Sequence, residues 1–154
     1  MFQVQPLPVS QFLPLFGVSD EALKAHGIIA QIADRSPGFP CRVSLRDAAP
    51  GERVLLLNYE HQPADTPFRA SHAIYVREGV EEARLEPGEL APFFTGRTLS
   101  VRAFDAAGMM VTAELCDGAA AGEAFDALLT RDGVAYVQVH FAKYGCYAAT
   151  VVRA

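Results

Sequence analysis

Two histidines stand in the densest polar stretch of the chain, which runs Asn58-Tyr59-Glu60-His61 and resumes at Arg69-Ala70-Ser71-His72. Histidine changes charge near neutral pH, and a neighbouring carboxylate can orient the ring or share its work as a general base. Glu60 with His61 or His72 is therefore material for acid–base catalysis. Asn58, Tyr59, Arg69 and Ser71 are the candidates to hold a ligand beside them. The competing reading is structural: Glu60 pairs with Arg69, and the stretch is a turn tied down by its own hydrogen bonds. That simpler reading is preferred here, because polar clusters with perturbed groups are often structural.

The cysteines offer a second chemistry. Cys146 follows Gly145 and is flanked by Tyr144 and Tyr147, with Lys143 and His140 close in sequence. Such neighbours occur around nucleophilic cysteines, although no local catalytic signature accompanies this one. Cys41 shares an alternating face with Val43 and Leu45 and reads as a buried apolar filler, while remaining a candidate. Cys116 falls with Thr112 and Glu114. A Cys41–Cys146 bridge is disfavoured by the reducing compartment that an odd number of scattered cysteines suggests.

Metal binding is the third chemistry. His61, His72, Glu60, His140 and a cysteine would suffice in number for zinc, but none has an HxxxH or HxH spacing. The sequence assigns no metal ligand and no cofactor. His140 lies on the strand face of Tyr136 and Gln138, opposite the apolar residues, and reads as exposed or loosely bonded. His26 is explained by a helix end.

Composition narrows the classes. The chain has 154 residues, 51% hydrophobic and 20% charged, with a formal net charge of −5. That fits one folded domain over residues 1–154. An acidic surface without basic clusters argues against nucleic acid. No segment approaches the roughly 18 apolar residues of a membrane span. The N-terminal stretch lacks a basic leader and is broken by Pro6, Pro8 and Pro14, so a cytoplasmic location is expected. GxGxxG, GxxxxGK[ST] and GxSxG are all absent.

The elements that must position these residues follow from pattern. Pro6 to Gly17 reads as an irregular lead-in with one helical turn that Ser10 could cap. Ser19 to His26 reads as a helix capped by Ser19, with Val18 and Leu23 as its hydrophobic staple and Gly27 as its stop. Gly27 to Ala33 and Cys41 to Leu45 read as strands. Val54 to Leu57, apolar throughout, reads as a central strand covered on both faces. Asn58 to Ser71 has no clear period and reads as a polar turn. His72 to Arg77 alternates, with His72, Ile74 and Val76 on one face. Glu89 to Phe94 is a short helix candidate.

Leu99 to Asp105 and Met109 to Leu115 flank Ala106-Ala107-Gly108 as a hairpin. Ala119 to Arg131 is the best helix, with Ala121, Phe125, Leu128 and Leu129 in one stripe. Val134 to Phe141 and Tyr147 to Arg153 are strands joined through Lys143-Tyr144-Gly145. The fold class is α+β: a single domain with a mainly antiparallel sheet, curled or partly closed to a barrel, and two or three short helices. Exposed sheet edges on an apolar-rich chain suggest a homodimer.

Four segments carry a resemblance. Gly38-Phe39-Pro40-Cys41-Arg42-Val43-Ser44-Leu45, Leu55 to Pro63 (LLLNYEHQP), Phe68-Arg69-Ala70-Ser71 and Gly145-Cys146-Tyr147-Ala148-Ala149 together resemble an uncharacterised bacterial family, the domain of unknown function numbered twelve-oh-three. The resemblance implies a small bacterial single-domain protein. It brings no activity, substrate or catalytic residue. The function expected from the residues is a small ligand-binding or interaction domain with a polar cleft beside a central strand. The alternatives are an enzyme built on Cys/His or Glu/His, and a metal-binding protein.

Overall fold

The computed structural model describes residues 1–154. In chain order the elements are β1 (Phe2–Gln5), α1 (Asp20–Ala25), β2 (Ile29–Ile32), β3 (Pro40–Cys41), β4 (Arg46–Asp47), β5 (Arg53–Gln62), β6 (Ala70–Arg77), β7 (Thr98–Phe104), β8 (Met110–Asp117), α2 (Ala121–Leu129), β9 (Tyr136–Phe141) and β10 (Tyr147–Arg153). Short 3-10 turns occupy Val9–Gln11, Leu13–Leu15, Pro92–Phe94 and Gly118–Ala120. The strands form two five-stranded sheets, β1-β10-β9-β7-β8 and β2-β5-β6-β3-β4. Every pairing is antiparallel except the single parallel contact of β3 with β6.

The α+β class stands, but the expected single curled sheet or partial barrel is corrected to two open sheets. The cause lies between β6 and β7. Residues 78–97 contain no strand, so no ladder joins β6 to β7 and the two sheets stay separate. No helix is long and apolar enough to cross a membrane.

Each sheet has its own apolar cluster. α2 lays Ala121, Phe125, Leu128 and Leu129 on the first sheet, against Leu99, Val101, Val137, Val139 and Val151. This is the stripe expected from sequence. Strand alternation then turns Ser100, Arg102, Gln138 and His140 to the opposite face, toward the second sheet. There Leu55, Leu57, Ile74 and Val76 pack with Leu7, Phe12, Leu23 and Ile28. Tyr147 crosses from the first sheet into this second cluster.

Local chemistry explains the ends of α1. Ser19 accepts from Ala22 N at 3.2 Å, Leu23 is buried, and Val18 packs on the same cluster. The lead-in differs from expectation. Phe2 and Val4 are buried in β1, paired with β10, and Ser10 lies inside its turn with no side-chain cap bond there. The helix expected at Glu89 to Phe94 shrinks to the 3-10 turn at Pro92–Phe94.

Two corrections matter for function. Cys41 to Leu45 is not a strand: after Cys41 the chain makes a tight turn closed by Leu45 N donating to Cys41 O at 2.9 Å. Leu45 takes φ +56°, a left-handed conformation that costs a branched residue about 1–2 kcal/mol. Its complete burial offsets that cost. The turn drives Arg42 inward, where only 1% of it remains exposed. Asn58 to Gln62 is likewise not a turn. It is the second half of β5, and the chain reverses only over residues 63–69, where the prolines stand. β5 is central, as expected, but Leu56 is only half-buried.

Candidate ligand-binding cleft and histidine cluster

Four strands from the two sheets converge on one polar cluster. His61 comes from β5, His72 from β6, Gln138 and His140 from β9, and Tyr147 from β10. In the ladder His72 faces Tyr59, which puts His61 diagonally across from it, and a register shift between Glu60 and Gln62 lies at His61. His61 Nε2 and His72 Nδ1 are 2.8 Å apart. The His61 ring also lies nearly parallel to Tyr147, with centroids 5.2 Å apart. On β10 a second register shift between Tyr147 and Ala149 lets Tyr147 and Thr150 reach each other, their hydroxyls 2.8 Å apart.

The partners fix the protons. Gln138 Nε2 donates to His61 O at 2.8 Å, so its Oε1 is the atom that meets His61 Nδ1 at 2.8 Å. An amide oxygen only accepts, so His61 carries its proton on Nδ1. Burial holds the His61 pKa below the ordinary histidine value, with His72 and Arg102 adding to the shift. The neutral ring leaves Nε2 bare, and His72 Nδ1–H donates to it. Burial, then Arg102 and Arg42, lower His72 too. His140 is fully buried, and its Nδ1–H donates to Gly145 O at 2.9 Å. Gly145 holds φ +75° in the turn between β9 and β10, a conformation suited to glycine, and that turn aims its carbonyl at the ring. Burial pushes the His140 pKa down to about 3.

Next to the cluster, a cleft of about 800 Å³ opens between the sheets, and His72 lines both. Its wall carries four cationic side chains, Arg35, Arg42, Arg97 and Lys143, together with Cys146, and no carboxylate. In a chain of net charge −5 this is a local reversal of sign. Arg97 is matched by Asp47 behind the wall, through two bonds of 2.7 and 2.8 Å. Arg35 pairs with exposed Asp34 at 3.0 Å.

Arg42 has no carboxylate partner. Its Nε donates to Tyr147 O at 2.7 Å, Nη1 to Pro40 O at 2.6 Å and Nη2 to Cys146 Sγ at 3.1 Å. It also lies 5.2 Å from the centre of the Phe141 ring. Burial lowers its pKa. A guanidinium buried without a counter-ion is costly.

The residues singled out from sequence divide sharply. His61 and His72 do meet, and His140 joins them rather than lying exposed, because its strand face is the one that meets the other sheet. Glu60 points away: it pairs with Arg69 at 3.1 Å on the open side of β5, both partly exposed, as the structural reading had it. Asn58 and Ser71 are exposed on that same side, while Tyr59 packs on the second apolar cluster. Cys41 is fully buried and accepts from Arg77 N at 3.3 Å. Cys146 lines the cleft, and all three cysteines are free thiols.

Arg42, Arg97, Arg102, Gln138 and Tyr147 are site residues that the sequence pattern does not single out. One signal was there: Ser100 and Arg102 alternate against apolar neighbours in β7 just as Gln138 and His140 do in β9. Two adjacent strands with polar inner faces imply a polar layer between sheets. A second hollow of about 490 Å³ lies by the chain ends, where Arg153 donates to Val134 O at 2.6 Å and Met1 N pairs with Asp126 at 3.4 Å. Its polar groups serve the fold.

No curated protein and no solved structure matches this chain. A family model does, over residues 38–153, a span that begins just before the Arg42 turn and contains every histidine and cysteine of the cleft and cluster. The chain belongs to the DUF1203 family of proteins of unknown function.

Proposed function

We propose that this protein binds a small anionic molecule, a carboxylate or phosphate compound, in the cleft between its two sheets. The observation that carries the reading is Arg42, a fully buried guanidinium with no carboxylate partner, bonded to the cleft-lining thiol of Cys146. Lys143 and Arg35 extend the same sign toward the mouth of the cleft. Charge-assisted hydrogen bonds to a ligand oxygen are the strong ones available in such a place.

A second reading is favoured by the same contact. Cys146 is the one thiol in the cleft wall, and a cysteine sulfur beside a group that can hold an anionic substrate is the raw material of nucleophilic catalysis. In this reading the ligand is an acyl compound with an anionic tail: the Cys146 sulfur bonds to its carbonyl carbon, the bond to an alcohol or amine breaks and that group leaves with the thiol proton, and water hydrolyses the thioester.

The test is thermal melting of the protein with inorganic phosphate and with simple mono- and dicarboxylates, each paired with a neutral amide or alcohol analogue of the same size. Anions raise the melting temperature and neutral analogues do not, since only ligands that prefer the folded state stabilise it. Lys143→Glu, a change in an exposed turn, removes most of the gain. Stabilisation by the neutral analogues, or an anion effect unchanged in Lys143→Glu, would overturn the reading.

A further inference from the structure

We infer that His61, His72 and His140 form a binding site for a divalent transition metal ion such as zinc, through His61 Nε2, His72 Nδ1 and His140 Nε2. One ring nitrogen from each residue already lies within 4.8 Å of the other two.

The decisive atom is His140 Nε2. The Nδ1 proton of this ring is committed to the Gly145 carbonyl, so the neutral ring has a bare lone pair on Nε2. The polar atom at hydrogen-bond distance from it is Gln138 Oε1, at 3.3 Å. That oxygen is itself an acceptor, already taken up by His61 Nδ1–H. No proton is available between the two atoms. A fully buried nitrogen thus faces the cluster with no donor, a condition that proteins rarely leave uncorrected. A metal ion corrects it.

The outer contacts fit the same role. Histidines that bind metals usually donate their other ring N–H to a carbonyl or carboxylate, which fixes the tautomer and the ring plane. His140 does this to Gly145 O and His61 does it to Gln138 Oε1. Both therefore present Nε2 as a ready ligand. His72 needs one change: the proton on Nδ1, now donated to His61 Nε2, leaves, and one is taken up at Nε2 beside the cleft, so the ring stays neutral.

Zinc–nitrogen bonds of about 2.0 Å put the nitrogens of a tetrahedral site roughly 3.3 Å apart. The His61–His72 pair opens slightly from 2.8 Å, and His140 closes.

Three protein ligands leave a fourth position open, the arrangement of reactive rather than structural zinc sites. Here it opens on the side of His72 and the cleft. No carboxylate is among the ligands, and Arg42 lines the cleft together with His72. The fourth ligand is therefore an anion, since a bare dication among guanidiniums would be repelled.

The experiment uses Co²⁺ alone, added to chelator-stripped full-length protein, with calorimetry for stoichiometry and visible absorption for geometry. One Co²⁺ binds per chain, with the intense visible bands of a four- or five-coordinate site. His72→Ala, a change at a partly exposed side chain, weakens binding about 100-fold or more, and circular dichroism checks its fold. Cys146→Ser binds as the parent does. Absence of saturable binding, equal affinity in His72→Ala, or loss of binding in Cys146→Ser would each overturn the assignment. The readout is the cobalt itself, with hydroxide or chloride from the buffer able to fill the fourth position, and it needs no cleft ligand, so this inference and the proposed function fail separately.

Discussion

Arg42→Ala is expected to unfold at a markedly lower denaturant concentration than the parent, by about 3–5 kcal/mol. Three losses combine. The carbonyls of Tyr147 and Pro40 lose buried donors, each costing about 1–3 kcal/mol when left unpaired. The side chain leaves a cavity beside Phe141. The third loss is the tie itself, because Arg42 links the β3 turn of one sheet to β10 of the other. Relief from burying an unpaired cation offsets part of this, which keeps the figure below the sum of its parts. Chemical denaturation followed by far-ultraviolet circular dichroism measures it. A change under about 1 kcal/mol would mean that the guanidinium is not the strut between the sheets.

The second large effect is on pH. Metal-free protein, kept in chelator, is expected to lose stability steeply as the pH falls below about 6.5, the unfolded histidine value. His140 has a folded pKa of about 3 because it is buried. Its folded value lies below its unfolded one, so between the two the unfolded chain binds the extra proton. The stabilisation from a neutral His140 is complete above the unfolded pKa and is lost as the pH falls toward the folded one. The full loss is about 5 kcal/mol, from roughly 3.5 pH units at about 1.4 kcal/mol each. His61 and His72 are shifted in the same direction and add to it. Denaturant midpoints across pH 7 to 4 measure the slope, and His140→Gln flattens it. A stability that holds level to pH 4 would contradict the burial of a neutral His140.

Several parts of this structure were readable before any coordinates. Ser19, the apolar stripe of α2 and the β7–β8 hairpin depend on neighbours in sequence, and their patterns are local. The structural pairing of Glu60 with Arg69 was readable for the same reason. The Arg42 turn was not. Cys41, Val43 and Leu45 alternate as a strand would, and all three are buried, but so is Arg42 between them. The Pro40 carbonyl and, far along the chain, the Tyr147 carbonyl, the Cys146 sulfur and the Phe141 ring make that burial tolerable.

The β5 extension was masked by polar residues. Asn58, Glu60 and His61 look like a turn, yet they alternate between solvent and the opposing sheet. His140 shows the general difficulty. Its polar strand face looks exposed when the sheet is assumed to have one covered side, and becomes the interior once a second sheet lies on it. The family resemblance was sound, but it brought no contacts between the segments that carry it.

The central claim is that the cleft beside Cys146 is where a ligand sits. The most direct measurement is the rate of iodoacetamide labelling of each cysteine at neutral pH, resolved by mass spectrometry, with and without the anion that raises the melting temperature most. Cys146 lines the cleft and Cys41 is buried, so Cys146 labels well ahead of Cys41. The account predicts that the saturating anion slows Cys146 several-fold and leaves Cys116, outside the cleft wall, unchanged. Labelling of Cys146 at an unchanged rate under saturating anion would place the ligand elsewhere and contradict the account.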